Sequence, residues 1–181
     1  KIYLITNSKD ELKKRLIMAA PLPLAGIQNI APYVAGDSEL TGFDRVIKLA
    51  SNEGAFGPSK KTLEALAFSS HDFSRYPDGD CTELRELLAR KNNLPENNII
   101  CGAGSDELIN LLCRSYAGLG DEILHSAHGF AMYPIYGRTV RATVVAAPEN
   151  DITVDVNELI RRVTDKTKLL FIANPNNPTG T

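Results

Sequence analysis

Cysteine is scarce in this chain of 181 residues: there are three, Cys81, Cys101 and Cys113. No two of them form a C-x-x-C pair, and no histidine stands at metal-ligand spacing from them. That excludes a disulfide framework and a sequence-local zinc site, and points to free thiols in a reducing compartment. His71, His125 and His128 make no metal-binding cluster in the sequence either, so no metal is expected. An excess of one charge is also missing. With a formal net charge of −2, nothing favours nucleic acid or an anionic membrane. The one basic run, Lys13-Lys14-Arg15, falls on an expected helix and reads as a solvated face. No apolar run approaches the length that spans a bilayer. Residues 16–27, after the basic run, faintly resemble a secretion signal. Pro21 and Pro23 interrupt that stretch and Asp10 and Glu11 precede its charges, so a cytoplasmic location is expected. No internal repeat or low-complexity segment is present.

What is there is the composition of a folded globular protein, 43% hydrophobic and 23% charged, long enough for a real core. Ser8 and Glu11 make a capping box for a leading helix over residues 8–20. Residues 21–42 are rich in proline and glycine, with Ile27, Ile30 and Tyr33 as apolar anchors, and read as an extended arm. A short strand is expected at 46–49 and a polar turn at 51–54. Helices are expected at 59–69 and 82–92, the second capped by Asp80 with Glu83, with a turn-forming loop at 74–79 between them. From there the pattern alternates. Strands are expected at 98–101, 122–125, 143–146 and 168–173. Helices are expected at 105–116, 129–140 and 156–163, the first with Leu108, Leu111 and Leu112 on its apolar side and the last capped by Asp155 with Glu158. Alternation of this kind predicts an α/β fold, a mostly parallel sheet sandwiched between helices.

Three strand-to-loop junctions carry candidate chemistry. Residues 101–107, Cys-Gly-Ala-Gly-Ser-Asp-Glu, open a helix. Glycines there admit a ligand to the backbone, and the free amides of the first turn with the helix dipole make an anion site suited to phosphate. A dinucleotide fingerprint is excluded because Glu107 stands where its third glycine belongs, and a Walker loop because no Gly-Lys-Ser/Thr follows. The same residues also read as a tight turn capped by Asp106. Phe130 can stack on a flat ligand or simply pack in the core. Asn177 lies in the final run, Ala-Asn-Pro-Asn-Asn-Pro-Thr-Gly-Thr, after the apolar strand. It can donate to a phenolate-type oxygen or merely stabilise the turn.

Read together, six segments resemble the histidinol-phosphate aminotransferases, a family of the fold-type-I enzymes that use pyridoxal phosphate. They are Ile-Ala-Pro-Tyr (30–33), Ile-Lys-Leu-Ala-Ser-Asn-Glu (47–53), Phe-Gly-Pro-Ser (56–59), Arg-Tyr-Pro-Asp-Gly (75–79), Gly-Ser-Asp-Glu-Leu (104–108) and the Asn-Pro string (174–181). The resemblance implies an incomplete large cofactor domain over 51–181. Residues 1–20 would be a leading helix, and 21–50 an arm with part of a small domain. It further implies that Gly104, Ser105 and Asp106 hold the cofactor phosphate, that Phe130 stacks on the pyridine ring, and that Asn177 contacts the ring oxygen. Tyr76 would reach the cofactor of a second subunit in a homodimer, and Tyr33 and Asn52 would lie near the substrate. The implied reaction moves an amino group between histidinol phosphate and 2-oxoglutarate, a small-molecule amino donor and an oxo acid, in histidine synthesis. An aromatic-amino-acid aminotransferase and a phosphothreonine-type decarboxylase share much of the motif set, and a non-catalytic binding or folding fragment is the alternative of another class. Gly54-Ala55 replaces the family's usual Asn-Pro, and Ala103 stands where Asn is common. None of the ten lysines has the family context of the Schiff-base residue, which is expected beyond Thr181, so no catalytic residue is assigned. Lys1 is not an initiator methionine, which leads us to expect a piece of a longer protein.

Overall fold

Strand β1, Glu122–Ser126, is the centre of the fold because both of its faces are covered. Ile123 and Leu124 are each fully buried, yet they belong to separate clusters. Successive strand residues point to opposite faces, so a doubly covered strand needs apolar residues at both positions. The computed structural model describes residues 23–24, 26–33, 41–42, 47–48 and 51–181. The leading helix expected at 8–20 lies outside the described residues. Of the strand expected at 46–49 only Ile47 and Lys48 are described, and they pair with no strand there.

Five helices are described: α1 (Lys60–Ser69), α2 (Thr82–Asn92), α3 (Gly104–Tyr116), α4 (Met132–Thr139) and α5 (Val156–Arg162). The strands after β1 are β2 (Thr143–Ala147), the short β3 (Glu149–Asn150) and β4 (Thr153–Val154), and β5 (Thr167–Phe171). The main sheet has the order β2-β1-β5, all parallel. β3 and β4 form a separate antiparallel hairpin. One face of β1 packs Ile123 with Cys113 of α3, with Tyr136 of α4 beside them; the other packs Leu124 with Leu159 of α5. The result is the expected helix-sheet-helix sandwich. At Gly137 a Cβ would lie 2.8 Å from Val144 Cγ2, so α4 lies directly on β2. Burial in this core pushes the Cys113 thiol up to about 11, which leaves it inert.

Local chemistry explains the helix starts. Ser59 Oγ accepts from the Thr62 amide at 3.2 Å and opens α1. Asp155 accepts from the amides of Asn157 (2.9 Å) and Glu158 (3.1 Å) and opens α5, while the Glu158 carboxylate turns away to pair with Arg161 and Arg162. Four expectations are corrected. Asp78, not Asp80, serves α2: its carboxylate accepts from Thr82 at 2.8 Å and Asp80 at 3.0 Å, because Cys81 takes a left-handed φ of 50° and swings the chain around it. The Thr82 bond first, then that of Asp80, holds the Asp78 carboxyl below its usual range. Residues 98–101 form no strand; Glu96–Asn98 is a 3-10 turn, and the Ile99 carbonyl accepts from Arg85 Nε at 3.0 Å instead of a ladder neighbour. The side of α3 that meets Ile123 carries half-buried Ile109 and buried Cys113 and continues to Ala117 just past its end; Leu108 is half-buried, whereas Leu111 and Leu112 are exposed. The fourth concerns the helix expected at 129–140, which starts only at Met132 because residues 127–130 are drawn into other bonds.

Leu159 is the single α5 side chain buried against β1, at 2% exposure. Leu159→Ala should lower the unfolding free energy of the complete protein by about 2–5 kcal/mol in urea denaturation, the usual cost of a core Leu-to-Ala cavity.

Candidate functional site

Three segments build the site: the turn 102–104 before α3, the loop 127–131 after β1, and the loop 172–181 after β5. β1 and β5 are parallel neighbours, so the last two loops leave the same sheet edge. The chain steps from β1 to β2 on one side and later returns to β5 on the other. A parallel sheet binds ligands at the carboxyl edge where its strand order reverses in this way.

Asn176 joins the two loops. Its Nδ2 donates to the His128 carbonyl at 3.2 Å and to Thr179 Oγ1 at 2.9 Å. It is only 3% exposed, and its Oδ1 has no partner among the described residues. The loop also closes on itself, with the Asn176 amide donating to the Thr181 carbonyl at 2.8 Å and the Gly180 amide to the Asn176 carbonyl at 2.7 Å. Both Asn-Pro peptides, 174–175 and 177–178, are cis. Asn177 is half-buried, and no described hydrogen bond uses its side-chain amide.

The loop after β1 is held by its main chain. The Ala127 amide donates to the Ala147 carbonyl at 2.8 Å and the Gly129 amide to the Ser126 carbonyl at 2.9 Å. The His128 amide donates to Glu149 Oε1 at 2.9 Å, and the His128 ring Nδ1–H to Glu149 Oε2 at 2.8 Å. Gly129 has no space for a side chain, since a Cβ would sit 3.0 Å from the Ser126 carbonyl oxygen. The Glu149 side chain is 2% exposed. Burial raises its carboxyl, but hydrogen bonds from His128 and Ser126 outweigh burial and hold it below its ordinary value. Phe130, which this loop presents, is half-buried. Its ring meets Tyr133 edge-on at 5.9 Å, and Tyr133 stacks on Phe171 of β5 at 4.8 Å, the planes 5° apart. His125 lies beneath the loop, its Nδ1–H donating to the Ser126 carbonyl at 2.6 Å, and burial draws its pKa below the ordinary histidine value.

The turn before α3 leaves the helix start open. Gly104 has φ 75°, which favours glycine, and its own amide is committed to the Gly102 carbonyl at 2.8 Å. No side chain caps α3, and the amides of Ser105 and Asp106 have no protein acceptor among the described residues. The two first-turn carboxylates face elsewhere. Glu107 folds back to the Ala103 amide at 2.5 Å, and Asp106 Oδ2 accepts from Tyr136 Oη at 3.1 Å, tying α3 to α4. Asp106 is therefore not a cap. Burial, and then the Asp106 bond, pushes the Tyr136 phenol above its usual range and keeps it a donor. An anion thus meets free N–H groups, the exposed Ser105 hydroxyl and the positive end of a helix of 13 residues.

The remaining expected residues are not all brought to this core. Tyr33 lines a cleft with Ala131, Pro134 and Arg138, so residues 31–33 lie against α4 and the end of the loop before it. Asn52 sits in an exposed turn with φ 52°, and Tyr76 is 97% exposed in its loop. Among the described residues no hydrogen bond joins either to the other candidates. Glu149, Asn176 and Tyr136 were not singled out in the sequence. The hairpin bearing Glu149 left one faint trace, an Asn-Asp pair at 150–151 between short polar-apolar alternations. Ile152 obscured it, because a β-branched residue at φ 55° is rare in a tight turn.

The chain is similar to known proteins in sequence and in fold. A family model described as aminotransferase class I and II matches residues 44–181. A histidinol-phosphate aminotransferase of Paramagnetospirillum magneticum is 54% identical over 91% of this chain and 45% of its own length. That of Rhodospirillum rubrum is 56% identical over 89% of this chain and 44% of its own. The chain therefore spans less than half the length of these curated relatives. Among solved structures, histidinol-phosphate aminotransferase from Sinorhizobium meliloti in complex with pyridoxal-5'-phosphate superposes with a TM-score of 0.69 at 28% identity, covering 72% of this chain and 36% of that one. An aspartate aminotransferase of Thermus thermophilus gives 0.64 at 26% identity, covering 72% and 37%.

Because its folded carboxyl titrates below the unfolded one, Glu149 contributes stability that is complete above pH of about 4.5 and lost as pH falls through the lower folded value. Glu149→Gln should flatten the acid limb of a stability-against-pH curve below that point while leaving its alkaline side unchanged in shape, as read by urea midpoints at each pH.

Proposed function

Since the chain belongs to the class I and II aminotransferases, we propose that the complete protein exchanges an amino group between histidinol phosphate and 2-oxoglutarate with pyridoxal phosphate as cofactor. The observation that carries this reading is the Asn176–His128 bond, which draws the Asn-Pro loop and the Phe130 loop together at one sheet edge. The substrate assignment draws on the 54–56% identity to named histidinol-phosphate aminotransferases.

The residues present fit the cofactor. A phosphate dianion needs donors without competing acceptors, and the Ser105 hydroxyl with the amides of Ser105 and Asp106 supplies them; Gly104 keeps the approach open. Asp106 contributes its amide, its carboxylate being engaged by Tyr136. Phe130 is the stacking ring and Asn177 the donor to the ring oxygen. When bound, pyridoxal phosphate supplies an electron sink for the carbon that gains or loses the amino group. This chain's part is to hold the phosphate, fix the plane of the ring and shield one of its faces from water. Proton transfer belongs to a lysine that, by the family resemblance, lies beyond Thr181, so no catalytic residue is placed among residues 1–181.

Residues 51–181 then form part of the large cofactor domain, and 21–50 an arm with part of the small domain. The full exposure of Tyr76 supports its reaching the cofactor phosphate of a second subunit, which makes the working unit a homodimer. Tyr33, beside the Phe130 loop, and Asn52 face the substrate. No described helix is long and apolar enough to cross a membrane; the proposed biosynthetic role supports a cytoplasmic location.

Two measurements on the complete protein test this. Turnover with histidinol phosphate should exceed that with phenylalanine or tyrosine, and indifference to histidinol phosphate would overturn the substrate assignment. Phe130→Ala should weaken pyridoxal phosphate binding by about 2–10-fold, the equivalent of the roughly 0.5–1.5 kcal/mol of a lost ring-ring contact; unchanged affinity in an absorbance titration would count against stacking.

A further inference from the structure

The β3–β4 hairpin touches both loops of the site and belongs to neither. Its first residue, Glu149, accepts the His128 amide and ring. Its tip carries Ile152, whose carbonyl accepts from Thr181 Oγ1 at 2.8 Å. On the following peptide group of the same residue, Asn176 donates to the His128 carbonyl. The amide and the carbonyl of His128, two residues before Phe130, are thus gripped by side chains from two different segments, Glu149 of the hairpin and Asn176, the residue before Asn177. Both gripping side chains are almost wholly buried, at 2% and 3% exposure. A carboxylate removed from water in this way is tolerated only because its oxygens are used by donors. His128 itself is exposed, so water would satisfy both main-chain groups, and pairing alone does not call for buried side chains here.

We propose that Glu149 and Asn176 are positioning residues: they clamp the main chain of His128 from both sides so that Phe130 and Asn177 hold a fixed separation and angle, with the hairpin as the strut between them. This rests on the proposed function, in which those two residues meet the cofactor. A flat ring held between an aromatic face and an amide donor loses one contact as soon as either moves, so the two loops must be set relative to each other and not only to the sheet. The Asn176–His128 bond sets them directly, and the hairpin sets them again through Glu149 and Thr181.

The test uses the complete protein freed of cofactor. Pyridoxal phosphate is titrated by visible absorbance and visible circular dichroism, and amide exchange is followed by mass spectrometry. Glu149→Ala and Asn176→Ala should each weaken binding by roughly tenfold or more, the common result of removing a partner that orients a ligand-contacting group. The circular dichroism per bound cofactor should change, and exchange should quicken over residues 127–130 but not in β1. Glu149→Gln should recover most of the affinity, because its amide oxygen still accepts the His128 amide. If Glu149→Ala does not fold, Thr181→Val, which cuts the other tie of the hairpin, should show the same loss in smaller measure. Faster loop exchange with unchanged affinity and dichroism would overturn the inference. So would a Gln variant as weak as Ala with exchange rising equally in β1, since that is general destabilisation. A wild type that binds no pyridoxal phosphate overturns the proposed function and this inference with it, whereas wild-type binding equalled by both Ala variants overturns the inference alone.

Discussion

Burial of β1 on both faces is the constraint on which everything else depends. Ile123 anchors α3 and α4 on one side and Leu124 anchors α5 on the other, so a single pair of adjacent side chains orders three layers. Each fully buried aliphatic side chain of this size contributes on the order of 1.5–3 kcal/mol. The strand's position matters as much as its burial. With β2 on one flank and β5 on the other, the carboxyl end of β1 lies at the reversal of strand order. The loops that follow β1 and β5 are therefore delivered to one place by the sheet itself.

Delivery alone does not make a site, because loops ordinarily carry the mobility of the surface. Here the loop after β1 is fastened by the end of β2, by the hairpin and by the Asn-Pro loop, and its aromatic ring rests on a column of Tyr133 and Phe171 that reaches back into β5. The turn before α3 is treated in the opposite way. Its two carboxylates are turned aside by Ala103 and Tyr136, and the amides of Ser105 and Asp106 are left free. Rigid aromatic support on one side and unspent donors on the other are the two properties that a planar, phosphate-bearing ligand requires.

Much of the fold was legible in the chain. The helix at 82–92 and the strand starts at 122 and 143 follow from periodicity and turn chemistry, because local signals and tertiary burial agree there. The failures have particular causes. Ile99 and Ile100 have strand propensity, but Arg85 claims the Ile99 carbonyl, and a strand exists only where a neighbour pairs with it. Leu111 and Leu112 outrank Cys113 and Ala117 in hydrophobicity, yet the sheet meets the other line of α3. Asp80 has the capping-box spacing to Glu83, but the helix takes a left-handed Cys81 as its N-cap and its first amide goes to Asp78.

For the site, residue types and their order can be read along the chain: a glycine turn before a helix, an aromatic residue after one strand, an asparagine-proline loop after another. Those are local properties, set by φ preferences, missing amides and helix starts. It takes folding to bring the loops into contact, to make Asn176 and not Asn177 the buried link, to turn Asp106 toward Tyr136, and to supply Glu149 to His128 from a short hairpin with an unconventional turn. Each of those contacts spans 21 or more positions along the chain, and a hydrogen bond carries no trace in sequence of the partner that folding brings to it.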